Sequence, residues 1–264
     1  MSSFLPSFLR ILGVLVGLYF VVGGFVFFAQ RSLLYHPTHR VVDTLMERWE
    51  ERGEYWGYQR VVSDPTGVWL VLHGNGGQAA HRDYLLEQVA DDVAVFVLEY
   101  PGYGDRLGMT TEENINEAAA FAWQHLRATY PNLPIGVIGE SIGSGPAATL
   151  ARQSNPPDKI VLLVPFDQLH RVAGDRFWWL PVKWLMRDNW DNVASLRNFH
   201  GEIEIYAARD DEIIPVERAK ALAGAYPQAR MVLMDGGHNS WQWNERFVLP
   251  VPAGVALPAP SSVQ

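Results

Sequence analysis

The 264-residue chain contains no cysteine. That absence removes disulfides, thiolate metal sites and cysteine nucleophiles, and it leaves the redox compartment unmarked. Metal-binding spacings are missing too: there is no H-x-x-x-H pair and no acid–histidine cluster, so neither a metal nor a cofactor is expected. Positive charge is scarce, with 21 Lys and Arg against 29 Asp and Glu and a formal net charge of -8. That balance argues against a nucleic-acid partner. No internal repeat or linker divides the chain, whose length suits one sizeable core.

What the chain does have is a long apolar run at its start. Ile11 to Ala29 carries no charge and is bracketed by Arg10 and Arg31. As a helix rising about 1.5 Å per residue it nearly spans a hydrocarbon core of roughly 30 Å. A cleaved signal peptide would need small residues near its cleavage site, and Val26-Phe27-Phe28-Ala29 places bulk there. The expectation is therefore an uncleaved single-pass anchor over residues 1–30, in a membrane of the bacterial inner-membrane kind. The flanking arginines balance, so neither side is selected for the rest of the chain. Gly13 and Gly17 form a G-x-x-x-G that suits packing of two anchors.

Beyond the anchor, apolar strands alternate with polar, helix-compatible stretches. A first short strand is expected near 30–37, and a helical or irregular stretch over 41–52. Residues 55–62 read as an edge strand. Val68–Leu72, Val93–Leu98, Pro134–Ile138, Lys159–Val164, Glu202–Ala207 and Arg230–Met234 read as further strands. Residues 78–90 suit a helix, Thr110 to Glu113 is a capping box opening another, and Pro215 starts a third. A short last helix is expected near 241–247. The pattern predicts an α/β domain over 31–248, a mostly parallel sheet with helices on both faces. The block 165–201 is too aromatic for a surface loop and reads as a small cap, while 249–264 is a Pro- and Ala-rich tail expected to be disordered.

The chemistry centres on Gly139-Glu140-Ser141-Ile142-Gly143, a G-x-S-x-G directly after an apolar strand. Strand, sharp turn and helix would lift the Ser141 hydroxyl above the sheet. A serine hydroxyl needs a base and a group to orient that base. His238, between Gly237 and Asn239, and Asp211, in Asp210-Asp211-Glu212-Ile213-Ile214-Pro215, both follow predicted strands and fall in the order expected for this elbow. Asp210 is the rival acid; Asp211 is preferred for its place just before the next helix, with Asp210 assigned to a backbone amide or Arg209. The backbone N–H groups of Ile142 and Asn75 are candidate oxyanion donors. The His73-Gly74-Asn75-Gly76-Gly77 loop does not match a G-x-G-x-x-G phosphate cradle, and His73 itself reads as a buried structural residue.

Taken together, His73-Gly74-Asn75-Gly76, Tyr100-Pro101-Gly102-Tyr103-Gly104, the Ser141 pentapeptide, Asp211-Glu212-Ile213-Ile214-Pro215 and Gly237-His238-Asn239 resemble the α/β-hydrolase superfamily. Within it the chain is similar to small, lightly capped, membrane-anchored members, the acyl-protein thioesterase and monoacylglycerol lipase-like group. The resemblance covers roughly 31–248 and implies an eight-stranded sheet, a Ser141/Asp211/His238 triad, and cleavage of an ester, thioester or amide. Trp178, Trp179 and Trp184 are candidate lining for an acyl pocket or a bilayer contact. A peptidase or amidase is the alternative, with Asp167, Asp175 or Asp188 holding a substrate amine. A silent binding protein is the third reading. The expected partners are a lipid-like acyl substrate and the membrane.

Overall fold

The computed structural model describes residues 4–243, 249, 251 and 252. Its centre is an eight-stranded sheet in the order β1-β2-β4-β3-β5-β6-β7-β8. β2 (Glu54–Arg60) is antiparallel to β4 (Val93–Leu98) and to β1 (Glu47–Glu51). From β4 onward the sheet is parallel: β3 (Gly67–Leu72), β5 (Ile135–Glu140), β6 (Lys159–Leu163), β7 (Glu202–Ala208) and β8 (Arg230–Met234). All residues of β3 and β4 are buried, which is why their sequences are apolar without alternation.

The two faces of the sheet are covered differently. One packs Val68, Leu70 and Val137 beneath α2 (Glu112–Thr129) and α3 (Ser144–Leu150). α6 (Asn192–Leu196) and α7 (Val216–Ala225) lie on the same side. On the other, Trp69, Val71 and Val95 meet Leu85 and Trp241. The helix expected over 78–90 is here a 3-10 helix, Ala79–Gln88, because Ala79 N–H is drawn to the buried Glu99 carboxylate and the stretch has no apolar stripe. α2 is capped by Thr111, whose hydroxyl accepts from Asn114 N–H at 3.0 Å. That is one residue later than the T-x-x-E box predicts, since the Thr110 hydroxyl is spent on the Pro101 carbonyl.

Two expectations near the start are overturned. Residues 30–34 are not strand: α1 (Phe4–Leu34) continues through them, since nothing breaks a helix before Pro37, which disfavours helical backbone at His36. Residues 47–51 are not helical or irregular but the edge strand β1. Arg52 and Gly53 take φ of 52° and 82°, the two-residue turn that lets β1 fold back on β2 and bury Trp49 against Trp56 and Phe96. An arginine at the first turn position concealed this hairpin, because Asn or Asp is the usual sign there.

At the other end, Leu249 is buried and bridges to Val89, and Val251 and Pro252 press on Gly67, so the packed domain runs past residue 248. The last helical turn, Trp241–Trp243, is shorter than expected, and the predicted stretch 244–247 and most of the tail lie outside the described residues. The cap consists of α4 (Leu169–Arg176) and α5 (Val182–Leu185), followed by α6.

Candidate active site

Ser141 follows β5 with φ of +52°, a left-handed conformation that costs a non-glycine residue energy and projects its hydroxyl outward. The flanking glycines are required by contact. A Cβ at Gly143 would stand 2.1 Å from the Leu72 carbonyl oxygen, and one at Gly139 would stand 2.5 Å from Ala147 Cβ. The strands and the helix after the elbow close on the serine from both sides.

β7 and β8 end at the same edge, and their loops bring the other two residues to Ser141. His238 Nε2 lies 2.9 Å from Ser141 Oγ, and His238 Nδ1 lies 2.7 Å from Asp211 Oδ2. The Asp211 side chain is only 2 % exposed, and its second oxygen accepts from the N–H groups of Ile213 and Ile214 at 2.9 and 2.7 Å. One oxygen is thus fixed by the chain's own turn while the other faces the imidazole. Asp210 is exposed and its backbone N–H donates to Gly236; Arg209 turns to Asp235 instead. Glu212, unremarked in the sequence, accepts from His238 N–H at 3.1 Å and holds the loop in place. Two backbone N–H groups, its own and that of His238, hold its carboxyl below the usual range.

Asn75 and Ile142 border Ser141 in one pocket of about 600 Å³, whose apolar side is formed by Leu34, Phe166, Leu169 and Ile213. The side chain of Asn75 does something the sequence did not disclose. Its Nδ2 donates to the Leu34 carbonyl at 2.5 Å, while Oδ1 accepts from His36 N–H and the Tyr103 hydroxyl, each at 2.8 Å. Beneath this loop His73 is fully buried, as expected, stacked on Tyr100 and 3.1 Å from the equally buried Glu99. Beside it Arg82 meets Glu140 at 2.5 Å, bracing the elbow residue that precedes Ser141. Burial alone would draw the Arg82 guanidinium down, but the adjacent Glu140 carboxylate holds it raised. Arg82 and Glu140, 58 positions apart, carry no local spacing that announces them.

The tryptophans do not take the pocket place expected of them. None of Trp178, Trp179 and Trp184 lines the Ser141 pocket. Trp178 and Trp184 are 83 % and 84 % exposed on the outside of the cap, and the Trp179 carbonyl accepts from the Tyr19 hydroxyl of α1 at 3.2 Å. Next to them Leu180 takes the inward place of the short turn. The three acids considered for an amine are neutralised instead. Asp167 faces Arg171 and Arg218, Asp175 faces Arg218, and Asp188 receives two bonds from Arg31 at 2.9 and 3.0 Å. Among the described residues no group of three His, Asp or Glu is placed to hold a metal.

The overall fold has counterparts in solved structures. An esterase from Pyrococcus furiosus, Pf2001, superposes with a TM-score of 0.58 over 77 % of this chain and 89 % of its own, at 17 % identity. The chain has the α/β-hydrolase fold. No family model matches it. Among relatives by sequence, an uncharacterized protein of Mycobacterium tuberculosis is 27 % identical over 81 % of this chain and 82 % of its own length. Lysophosphatidylserine lipase ABHD12 of Xenopus tropicalis is 26 % identical over 66 % of this chain, which spans 50 % of that longer protein. In the terms of the α/β-hydrolase fold, Ser141 stands at the elbow after β5, the acid after β7 and the histidine after β8.

Proposed function

We propose that the protein is a membrane-held serine hydrolase that cleaves a carboxylic ester or thioester of an acyl chain through an acyl-enzyme on Ser141. The observation that carries it is the unbroken hydrogen-bonded line from Ser141 through His238 to Asp211. In this reading His238 Nε2 takes the Ser141 proton as Oγ attacks the acyl carbonyl. Asp211 holds the imidazole in the tautomer that presents Nε2 and stabilises the imidazolium that forms. The N–H groups of Asn75 and Ile142 receive the developing oxyanion, a contribution of about 2.7–4 kcal/mol per donor. The proton then passes from His238 to the leaving alkoxide or thiolate, and a water activated the same way releases the acid.

The lipase and esterase names of the similar proteins support an acyl ester. The 28-residue stretch Ser7–Leu34 of α1, long and apolar enough to cross a membrane, supports a membrane anchor, and the apolar wall of the pocket supports an acyl substrate. The amidase alternative loses its motivation because Asp167, Asp175 and Asp188 are already paired with arginines. A fluorophosphonate probe is expected to label the wild-type protein and not Ser141→Ala. Acyl esters are expected to be turned over by the wild type and not by the variant. Labelling that survives the substitution would overturn the assignment.

A further inference from the structure

Three cavities lie in series between α1, the cap and Ser141. The pocket over Ser141 shares Leu34 with a cavity of about 250 Å³ bounded by Val26 and Phe27 of α1 and by Leu180 and Leu185 of the cap. That cavity shares Phe27, Leu180 and Leu185 with a third, of about 300 Å³, which reaches Tyr19, Gly23 and Gly24. The three follow α1 from Leu34 back to Tyr19, roughly 22 Å at about 1.5 Å per residue, and their walls are mostly apolar, with Gln30 and the Arg31–Asp188 pair at the middle cavity; together they are termed the groove.

At Gly23, in the wall of the third cavity, there is open space where a Cβ would stand. The cap is tied to α1 by polar bonds at both ends of the series, the Tyr19 hydroxyl to the Trp179 carbonyl at one end and a group around the middle cavity at the other. Arg31 is paired with Asp188, Gln30 Nε2 donates to the Leu185 carbonyl, and Arg187 N–H donates to Gln30 Oε1.

Depth decides what the groove meets. If Ile11–Ala29 crosses a hydrocarbon core of roughly 30 Å, Tyr19 sits near its middle, and the cap residues beside it lie within one leaflet. The cap sequence agrees. From Phe177 to Met186 its single charge is Lys183, with a stem long enough to reach the headgroups, and Arg176 and Arg187 stand at its ends. Trp178 and Trp184, which project outward, are then facing lipid and its interface rather than water. On the far side of Ser141 a cavity of about 280 Å³ is polar, with Arg82, Glu140 and Asn239 in its wall.

We propose that the groove is a lateral access channel for the acyl chain of a bilayer-resident ester. The chain slides between α1 and the cap without passing through water, its carbonyl stops at Ser141, and its polar leaving group occupies the far cavity. This inference rests on the serine hydrolase reading and on α1 lying in a membrane.

The test uses the full chain in vesicles of phosphatidylethanolamine and phosphatidylglycerol, comparing kcat/KM for 4-nitrophenyl palmitate and 4-nitrophenyl acetate. Gly23→Trp, which fills the groove far from the reacting atoms, is expected to lower the palmitate-to-acetate ratio by about tenfold or more. Phe25→Trp, on the lipid-facing side of α1, is expected to leave the ratio at the wild-type value. An unchanged ratio in Gly23→Trp, or an equal fall in both variants, would overturn the channel. A measurement independent of that variant uses full-length Ser141→Ala and a 4-nitrophenyl ester of a diazirine-bearing palmitate. Cross-links to Val26, Phe27 or Leu180 support the channel, and cross-links confined to Phe25 or Val21 refute it. The hydrolase reading fails separately, if the wild type does not turn over the acetate ester or if Ser141→Ala does.

Discussion

Asp211 divides its two oxygens between tasks, and that division explains why its neighbour cannot replace it. Oδ1 is saturated by Ile213 and Ile214 N–H, which leaves Oδ2 aimed at His238. Asp211→Asn keeps the shape but presents an amide to Nδ1, so the imidazole is pushed toward the tautomer that cannot accept the serine proton. Turnover of an acyl ester is expected to fall by about 10⁴-fold with the thermal unfolding midpoint little changed. Asp210→Asn, on the exposed side, serves as the comparison and is expected to remain active. That Ser141, Asp211 and His238 meet at one edge was legible because each follows an apolar strand, and parallel strands deliver their following loops to one edge. The Asn75 side chain, Glu212 and the Arg82–Glu140 pair were not legible. Their roles depend on which turns meet in space, and no periodicity records that.

At the level of elements, β6 and β7 are joined by a buried ionic group as well as by their ladder. Lys159 Nζ lies 2.8 Å from Glu204 and 3.1 Å from Glu202, and the Tyr206 hydroxyl donates to Glu204 at 2.7 Å. Burial alone would raise the Glu204 carboxyl, but the bonds from Lys159 and Tyr206 outweigh it and hold the group below its ordinary range. A carboxyl depressed on folding stabilises the fold above the unfolded value of about 4.3, and that contribution is lost as pH falls through the folded value. Glu204→Gln is therefore expected to be less stable than wild type at pH 7, by roughly 2–3 kcal/mol, with the difference closing in acid. Chemical denaturation at pH 7 and at pH 3 measures it, and a constant difference would contradict the account.

The central strands β3, β4 and β6 were readable because burial on both faces leaves a run that is mostly apolar. β1 escaped notice because an exposed edge strand is polar on all but one position, Trp49. The 3-10 helix escaped for a related reason: its partner, Glu99, lies 20 residues from the amide it binds. The cap was recognised by its aromatic content, yet composition does not say which way a tryptophan points.

Across the whole molecule, α1 and the cap are fastened by residues about 157 positions apart. The Asp188 side chain is 5 % exposed and also accepts from the Tyr35 hydroxyl, so losing Arg31 strands a buried carboxylate. Arg31→Ala and Asp188→Asn are each expected to speed tryptic cleavage of the cap, at Arg176, Lys183 or Arg187, by about tenfold. The double variant is expected to be no faster than either single one, because both remove the same tie. Additive rates would mean that the two residues act separately.

The Asn75 side chain gives this tether a second end. It grips the Leu34 carbonyl and the His36 amide, and Asn75 lines the same pocket as Ser141. Removing residues 1–36 together with α1 would therefore take two struts from beneath the loop beside Ser141, not merely an apolar helix. A rate measured on such a fragment would report on a slackened loop, whereas a cut that spares residues 31–36 leaves that loop strung as it is in the intact chain.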